Sequence, residues 1–574
     1  MKYIVSFEVP NRHLLQIEQI IEDIQPNEEY IDVSLPAFRP GRYELQNFAK
    51  NLKIFIAKNA EGQKIPHKKV DKNTWRVFCK GLKKVHLYYE YYGATIDAGS
   101  TFCGFEQVYI NPANCLMYNL PRLYQPHELV LNLGSEYDVA TGMKRINNQA
   151  FYAEDYHELA DSPLIASETL KHRTYTCQGI KFNIWMQGPC EVEWNKLISD
   201  MAKFTEAQIR LFGDAPFKEY HFLCQIMPNK AYHGVEHLNS TVLMIGPGAD
   251  LMDDQYDEFM GLASHELFHA WNVKTIRPIE MMPYDYSKEA YCESHYITEG
   301  VTTYYGDLML VKSGVWTPER YLMELSQKCH KHFTNYGRFI TPLTLASFDS
   351  WIEAYSDTIP HKKVSFYTKG CLVALMTDLE IRKATNHEKS LDTVMRLMYE
   401  RFGKTQKGYT QQDYKNLLEE VSGLDFTQFF ADYIEGVTPI YDRLNELLNF
   451  VGCKLVELPG LELSEYYYGF VATGSEKSGR LVVKTILPNS PAEISGLDIG
   501  DEILAVNNIK IGGKLNNLIR NHTKHLNLIV ARESKILNIQ LHAIPNTYFN
   551  PVVQVVKIPS YNDSSFEKWL GMVE

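Results

Sequence analysis

Two histidines four residues apart, with a glutamate between them, stand out for chemistry in this 574-residue chain: His265-Glu266-Leu267-Phe268-His269. At 3.6 residues per helical turn, positions 265 and 269 lie one above the other on a single face, so both imidazoles reach one ion while Glu266 points about 100° away, toward a water on that ion. That arrangement suits hydrolysis. With 19 histidines in the chain, such a pentapeptide arises by chance in roughly a few per cent of comparable sequences, and two core histidines are the plain alternative. The surroundings weigh against it. Phe259, Met260, Leu262, Ala263, Leu267, Phe268, Ala270 and Trp271 make the segment apolar nearly all round, and two histidines with a glutamate are costly there unless a metal satisfies them.

A catalytic zinc takes three protein ligands and keeps a fourth position open. Glu299, in Thr298-Glu299-Gly300-Val301-Thr302-Thr303-Tyr304-Tyr305, sits just inside an otherwise neutral, apolar helix and is the candidate third ligand; a solvated first-turn acid is its alternative. Glu289 and Glu293 compete for the role, but their polar neighbours mark them as exposed. Two imidazoles, one carboxylate and a vacancy favour one zinc per chain, with manganese and cobalt as other occupants. Such an ion lowers the pKa of water toward about 7 and polarises a carbonyl. Glu266 is then the group to take the proton from that water.

The elements that must position these residues fall into three styles of sequence. Residues 1–167 are short alternating runs, such as Ile31-Asp32-Val33-Ser34-Leu35 and Val85-His86-Leu87-Tyr88-Tyr89, broken by turn signals such as Arg39-Pro40-Gly41 and Asn111-Pro112. With no convincing helix, they read as a β-sandwich without chemistry of its own. Residues 168–450 start with strands at Phe182–Met186 and Tyr220–Cys224, then lengthen in period toward helices near 192–212, 255–274, 293–313, 317–334, 364–384, 389–402 and 410–434. Gly314, Gly403 and Gly436 stand as closing glycines. Residues 455–545 return to strands over a length typical of a small module, and the tail, 546–574, holds a strand and a short helix around Ser565–Leu570.

His265-Glu266-x-x-His269-x-Trp271-Asn272-Val273-Lys274 followed by Thr298-Glu299-Gly300 resembles the gluzincin metallopeptidases, and among them the glycyl aminopeptidase family that carries a PDZ domain. Two further segments are similar in the same order: His233-Gly234-Val235-Glu236-His237 upstream and Tyr367-Thr368-Lys369-Gly370 downstream. The resemblance implies a multidomain α+β protein with an N-terminal β-sandwich, a mainly helical thermolysin-like catalytic domain and a C-terminal PDZ domain. It implies that Glu236 receives the free α-amino group of the substrate, that Gly234 and Val235 pair with the peptide as an edge strand, and that Tyr367 donates to the developing oxyanion. It also implies a primary pocket for Gly or Ala. Alone, Glu236 reads as a surface acid and Tyr367 as a core tyrosine. His237 stands where aminopeptidase N has asparagine, and agrees with the glycyl aminopeptidase pattern. In the last module, Tyr467-Tyr468-Gly469-Phe470 resembles the loop by which PDZ domains cradle a peptide C-terminus with backbone N–H groups, so Tyr468, Gly469 and Phe470 are its candidate contacts. A PDZ module docked on its own protease is the alternative.

Composition sets the outer limits. The chain is 45% hydrophobic and 22% charged, with a formal charge of −12, which excludes disorder and argues against nucleic acid as a partner. No apolar run approaches about 18 residues, so no membrane span is expected. The start, Met1-Lys2-Tyr3-Ile4-Val5-Ser6-Phe7, reads as a strand, not a signal peptide. Ten cysteines without C-x-x-C pairs read as reduced thiols of a cytoplasmic protein. The expected function is a zinc aminopeptidase acting on peptides; the alternatives are a PDZ-guided endopeptidase and a peptide-binding scaffold with a residual metal site.

Overall fold

A computed structural model of the protein describes residues 1–356, 359–475, 480–511 and 515–572. The chain divides into two units, Met1–Thr317 with Ser347–Ser356 and Glu388–Leu424, and Pro318–Ala346 with Asp357–His387 and Asp425–Glu574.

Alternation of apolar and polar residues builds the beginning of the first unit. In Val85–Tyr92, for example, Val85, Leu87, Tyr89 and Tyr91 are buried while the residues between them are not, as a period of two requires of a half-buried strand. This strand lies in a seven-stranded sheet beside Leu14–Ile21 and Leu52–Asn59. Lys2–Ser6 continues that sheet, pairing antiparallel with Leu14–Ile21 and parallel with His127–Asn132. Sheets of four and three strands complete a β-rich domain. Two short helices, Pro112–Cys115 and Tyr156–Ala160, interrupt what reads as an all-strand region. Each has a local cause: Pro112 starts the first, and the Asp155 carboxylate accepts from the Glu158 N–H to cap the second.

The core of this domain does not stop at residue 167. Val273, Met281, Tyr284, Tyr286 and Cys292 belong to the same buried cluster as Tyr3, Leu87 and Phe151. A five-stranded sheet follows in the order Lys171–Cys177, Ile180–Gln187, Glu219–Ile226, Ser240–Gly246, Ala231–Glu236. Ala231–Glu236 pairs on one side only, antiparallel to Ser240–Gly246, and is therefore an edge strand.

Helices Trp194–Phe212, Tyr256–Phe268 and Thr302–Lys312 stand where the periodicity predicts them, with differences at their ends. The helix carrying Glu266 stops at His269 instead of reaching 274, and Asn272 turns its carbonyl back onto His269. Glu299 lies on a π-wound stretch, Tyr296–Val301, that leads into Thr302–Lys312. Gly314 is left-handed, at φ +71, as a closing glycine should be. Gly403 and Gly436 are not: the chain closes there through wide turns, with Lys404 N–H donating to Tyr399 O and Glu435 N–H to Phe430 O.

The second unit contains helices Pro318–Phe333, Thr368–Ala384 and Tyr441–Phe450. Strand Cys453–Leu458 pairs with Val552–Lys557, bracketing a module of antiparallel strands that runs from Phe470–Ser475 to Lys535–His542. The last helix, Asp563–Leu570, buries Trp569 against Tyr321 at 5.7 Å between ring centroids. All ten cysteines are free and buried. Among the described residues no helix is long and apolar enough to cross a membrane.

Candidate active site

The helix Tyr256–Phe268 is buried on nearly every side, with Phe259, Met260, Leu262, Ala263, Leu267 and Phe268 all inside. Its polar residues must therefore find partners within the protein. Ser264 donates to Gly306 O at 2.7 Å, and the Gln208 amide donates to both Ser264 oxygens. Gly306 lets the next helix come close: a Cβ there would lie 3.1 Å from both Cα and Cβ of His265. This contact carries the π-wound stretch, and with it Glu299, up to the histidines.

His265 Nε2 and His269 Nε2 are 3.0 Å apart, and Glu299 Oε2 lies 3.3 Å from His269 Nε2 and 3.9 Å from His265 Nε2. Ligand atoms around a tetrahedral zinc sit roughly 3.3 Å from one another, so the three side chains already have the spacing of a shared ion. One ligand atom from each falls within 4.8 Å of the others, the only such group found among the described residues. Glu293 is exposed and Glu289 half-buried, and neither joins it.

The chemistry of the donors also asks for a cation. His269 Nδ1 faces the Asn272 carbonyl at 2.7 Å; a carbonyl can only accept, so Nδ1 carries the hydrogen and Nε2 presents a lone pair to the cluster. Burial opposes a second proton on His269, but the facing Glu299 carboxylate overcomes it and holds the imidazole up to about 10, so that a proton and a metal compete for the same Nε2 lone pair. Burial likewise opposes charge on Glu299, yet His269 first, then His265 and the Tyr43 hydroxyl, bring it down to about 2. A pair so arranged calls for positive charge between its members, and zinc fits the donor set.

Glu266 lies over the edge strand. A Cβ on Gly234 would fall 1.9 Å from Glu266 Oε1, so only glycine lets strand and carboxylate meet. Glu266 Oε2 is buried without a hydrogen-bond partner. Burial raises its pKa well above the ordinary carboxylate value, with Glu236 and Glu299 adding to the shift against the pull of His269. At the end of the same strand Glu236 is 7% exposed, not the surface acid that its sequence alone suggests. Both of its oxygens lie 2.7 Å from where a Cβ on Gly41 would stand.

Two family profiles describe this architecture, the Peptidase M61 N-terminal domain over residues 2–168 and the M61 glycyl aminopeptidase over residues 258–373. A PDZ domain profile matches residues 460–541. An aminopeptidase N family protein from Idiomarina loihiensis, of known crystal structure, is 26% identical over 99% of both chains, with a TM-score of 0.89. The N-terminal and catalytic domains both match the M61 glycyl aminopeptidase family. The chain is a zinc metallopeptidase of the aminopeptidase class. An M1 zinc metallopeptidase from Deinococcus radiodurans shares the fold at 13% identity, over 76% of this chain and 94% of that one, with a TM-score of 0.50. No match is found among curated proteins.

Several residues that the sequence does not single out complete the M61 site. The Tyr43 hydroxyl donates to Glu299 Oε1 at 2.6 Å, and its ring lies 4.0 Å, centroid to centroid, from that of His295. Burial first, then the Glu299 and Glu236 carboxylates, push the Tyr43 phenol far up, which keeps it a donor. Asp161 binds three groups at once: Lys274 Nζ at 2.7 Å, His237 Nδ1 at 3.0 Å and the Leu238 N–H at 2.9 Å. It thereby ties the turn after Glu236 to the segment after His269. Burial works against charge on Asp161, but Lys274 and then His237 hold its carboxyl far below the usual range. The break at Arg39-Pro40-Gly41, which reads as a plain turn, is the one local signal that marks the loop bearing Tyr43.

Tyr367 lies in the second unit, at the N-cap of Thr368–Ala384, half-buried and stacked on Phe366 at 4.8 Å. In the PDZ module, Tyr468 is fully buried with its hydroxyl donating to His522 O. Gly469 closes the short helix Leu463–Tyr468 with φ +71, and its N–H donates to Glu465 O. That donor of the expected carboxylate loop is already used. Phe470 begins the strand that follows.

Proposed function

We propose that this zinc aminopeptidase removes a small first residue, Gly or Ala, from peptides, with one zinc per chain held by His265, His269 and Glu299. The observation that carries the reading is Glu236: a buried carboxylate at the end of an edge strand, in no ion pair among the described residues, beside the Glu266 carboxylate and the metal cluster. A buried acid without a protein cation is costly, and the α-ammonium of a peptide supplies that cation. Gly234 and Val235 offer the unpaired side of the strand to the peptide backbone. The peptide amine is thereby fixed, and the first peptide bond is delivered to Glu266.

When bound, zinc supplies a water acidic enough to attack near neutral pH and a Lewis acid for the carbonyl. Glu266, held protonatable by its burial, takes the proton from the attacking water and returns it to the nitrogen that leaves. Tyr367 donates to the oxygen on which negative charge develops. Tyr43 and Asn272 keep Glu299 and His269 in orientation. In the PDZ module, the loop Tyr468-Gly469-Phe470 is proposed to border the site of a peptide C-terminus, a role separate from hydrolysis, with the Gly469 N–H held by Glu465 O and so not among the donors to it.

Glu236→Ala tests the reading. With zinc content unchanged, kcat/KM on Ala-led dipeptides should fall about 100-fold, the worth of a charge-assisted hydrogen bond. Wild-type turnover by the variant would refute the amine-binding role.

A further inference from the structure

Arg39 is 2% exposed, yet its guanidinium is poorly satisfied. Nε has no hydrogen-bond partner, Nη1 reaches only Pro40 O at 3.3 Å, and among the described residues Arg39 makes no ion pair. The side chain lies flat on Gly99: a Cβ there would fall 2.1 Å from Nε and Nη2 and 2.2 Å from Cζ. The nearby Asp97 carboxylate turns back to accept from the Gly99 N–H at 2.7 Å instead. A buried cation left in this state needs an anion from elsewhere.

Its place in the fold says where that anion comes from. Arg39 opens the turn, closed by Arg42 N–H to Arg39 O, that sets Gly41 against Glu236 and Tyr43 against Glu299. Its charge also lies near His233, where it adds to the burial that lowers that imidazole to about 4. His233 lies three residues before Glu236 on the edge strand, about 10 Å away at the rise of an extended chain. A peptide with its amine at Glu236, laid along that edge, carries its second and third residues to the level of His233.

We propose that Arg39 is a substrate-carboxylate site, which makes dipeptides and tripeptides with a free C-terminus the preferred substrates. The inference rests on Glu236 as the amine site. The same guanidinium would also take the side chain of an acidic residue after the scissile bond, and the test separates the two sources. A counter-charge for the three acids of the cleft is the competing role, and it would favour all substrates alike.

The test compares kcat/KM of the zinc-loaded full chain on Ala-Ala, Ala-Ala-Ala, their C-terminal amides, Ala-Glu amide and alanyl p-nitroanilide. The free acids should exceed their amides by about 10- to 100-fold. Arg39→Gln should bring that ratio to near unity, and Arg39→Lys should keep part of it. If Ala-Ala exceeds its amide and Ala-Glu amide does not, the C-terminus is the source; if Ala-Glu amide rises to the level of Ala-Ala, either carboxylate is taken; if Ala-Glu amide alone exceeds Ala-Ala amide, the side chain is the source and the C-terminal preference is overturned. Wild-type ratios of unity for both comparisons overturn the proposal even if a variant fails to fold, as does an equal loss on acids and amides in Arg39→Gln. The anilide distinguishes the failures: hydrolysis of it with unit ratios sinks Arg39 alone, whereas no hydrolysis of any Ala-led substrate sinks the Glu236 reading as well.

Discussion

Glu266 and Tyr43 serve the metal cluster in different ways, and their removal separates proton transfer from metal holding. Glu266→Gln keeps the fold of the helix and leaves all three ligands in place, so zinc content should match wild type while kcat falls about 100- to 10,000-fold. Metal analysis beside steady-state kinetics checks both. Tyr43→Phe removes the 2.6 Å hydrogen bond to Glu299, and outer partners of this kind are worth about 10- to 100-fold in metal affinity. Competition with a chelator should show that loss. Of these two residues only Glu266 is legible in the sequence, because its spacing from the histidines is helical arithmetic. Tyr43 and Glu299 are separated by 256 positions, and no period or spacing connects them.

Two contacts between elements decide whether the ligands meet. The helix of Glu266 and the one after Glu299 touch through Gly306, where a Cβ would already be tight at 3.1 Å; the edge strand and the segment after His269 are joined through Asp161. Asp161→Asn leaves Lys274 buried without its counter-ion and should cost about 3 kcal/mol of stability. Asp161 has its folded pKa depressed, so its contribution is complete above the unfolded carboxyl value, about 3.9, and is lost as pH falls below it. The gap in unfolding midpoint between wild type and variant should therefore be level near neutral pH and narrow in acid. The apolar periodicity reveals the existence of these helices but not where they stop. His269 ends its helix because Asn272 turns back to orient it, and Glu299 sits on π winding; both are demands of the site that propensity does not encode.

At the scale of the molecule, the order of styles along the chain, strands then helices then strands, is legible because each has its own period. Mutual dependence is not. The N-terminal domain reads as chemically silent, yet it supplies Tyr43, Gly41 and Asp161, and its buried cluster takes in Val273, Tyr284 and Tyr286. Removing residues 1–167 should accordingly abolish zinc binding, not merely trim a module; a truncated protein that still binds zinc stoichiometrically would show the domain to be dispensable. The central claim is that a metal cluster and a buried carboxylate together make an enzyme that cuts one residue from a free amino terminus. Mass-spectrometric mapping of cleavage on one Ala-led peptide, with its terminus free and acetylated, tests it most directly. Loss of the first residue from the free peptide and no cleavage of the acetylated one is the predicted result; internal cuts, or equal cleavage of both, would contradict it.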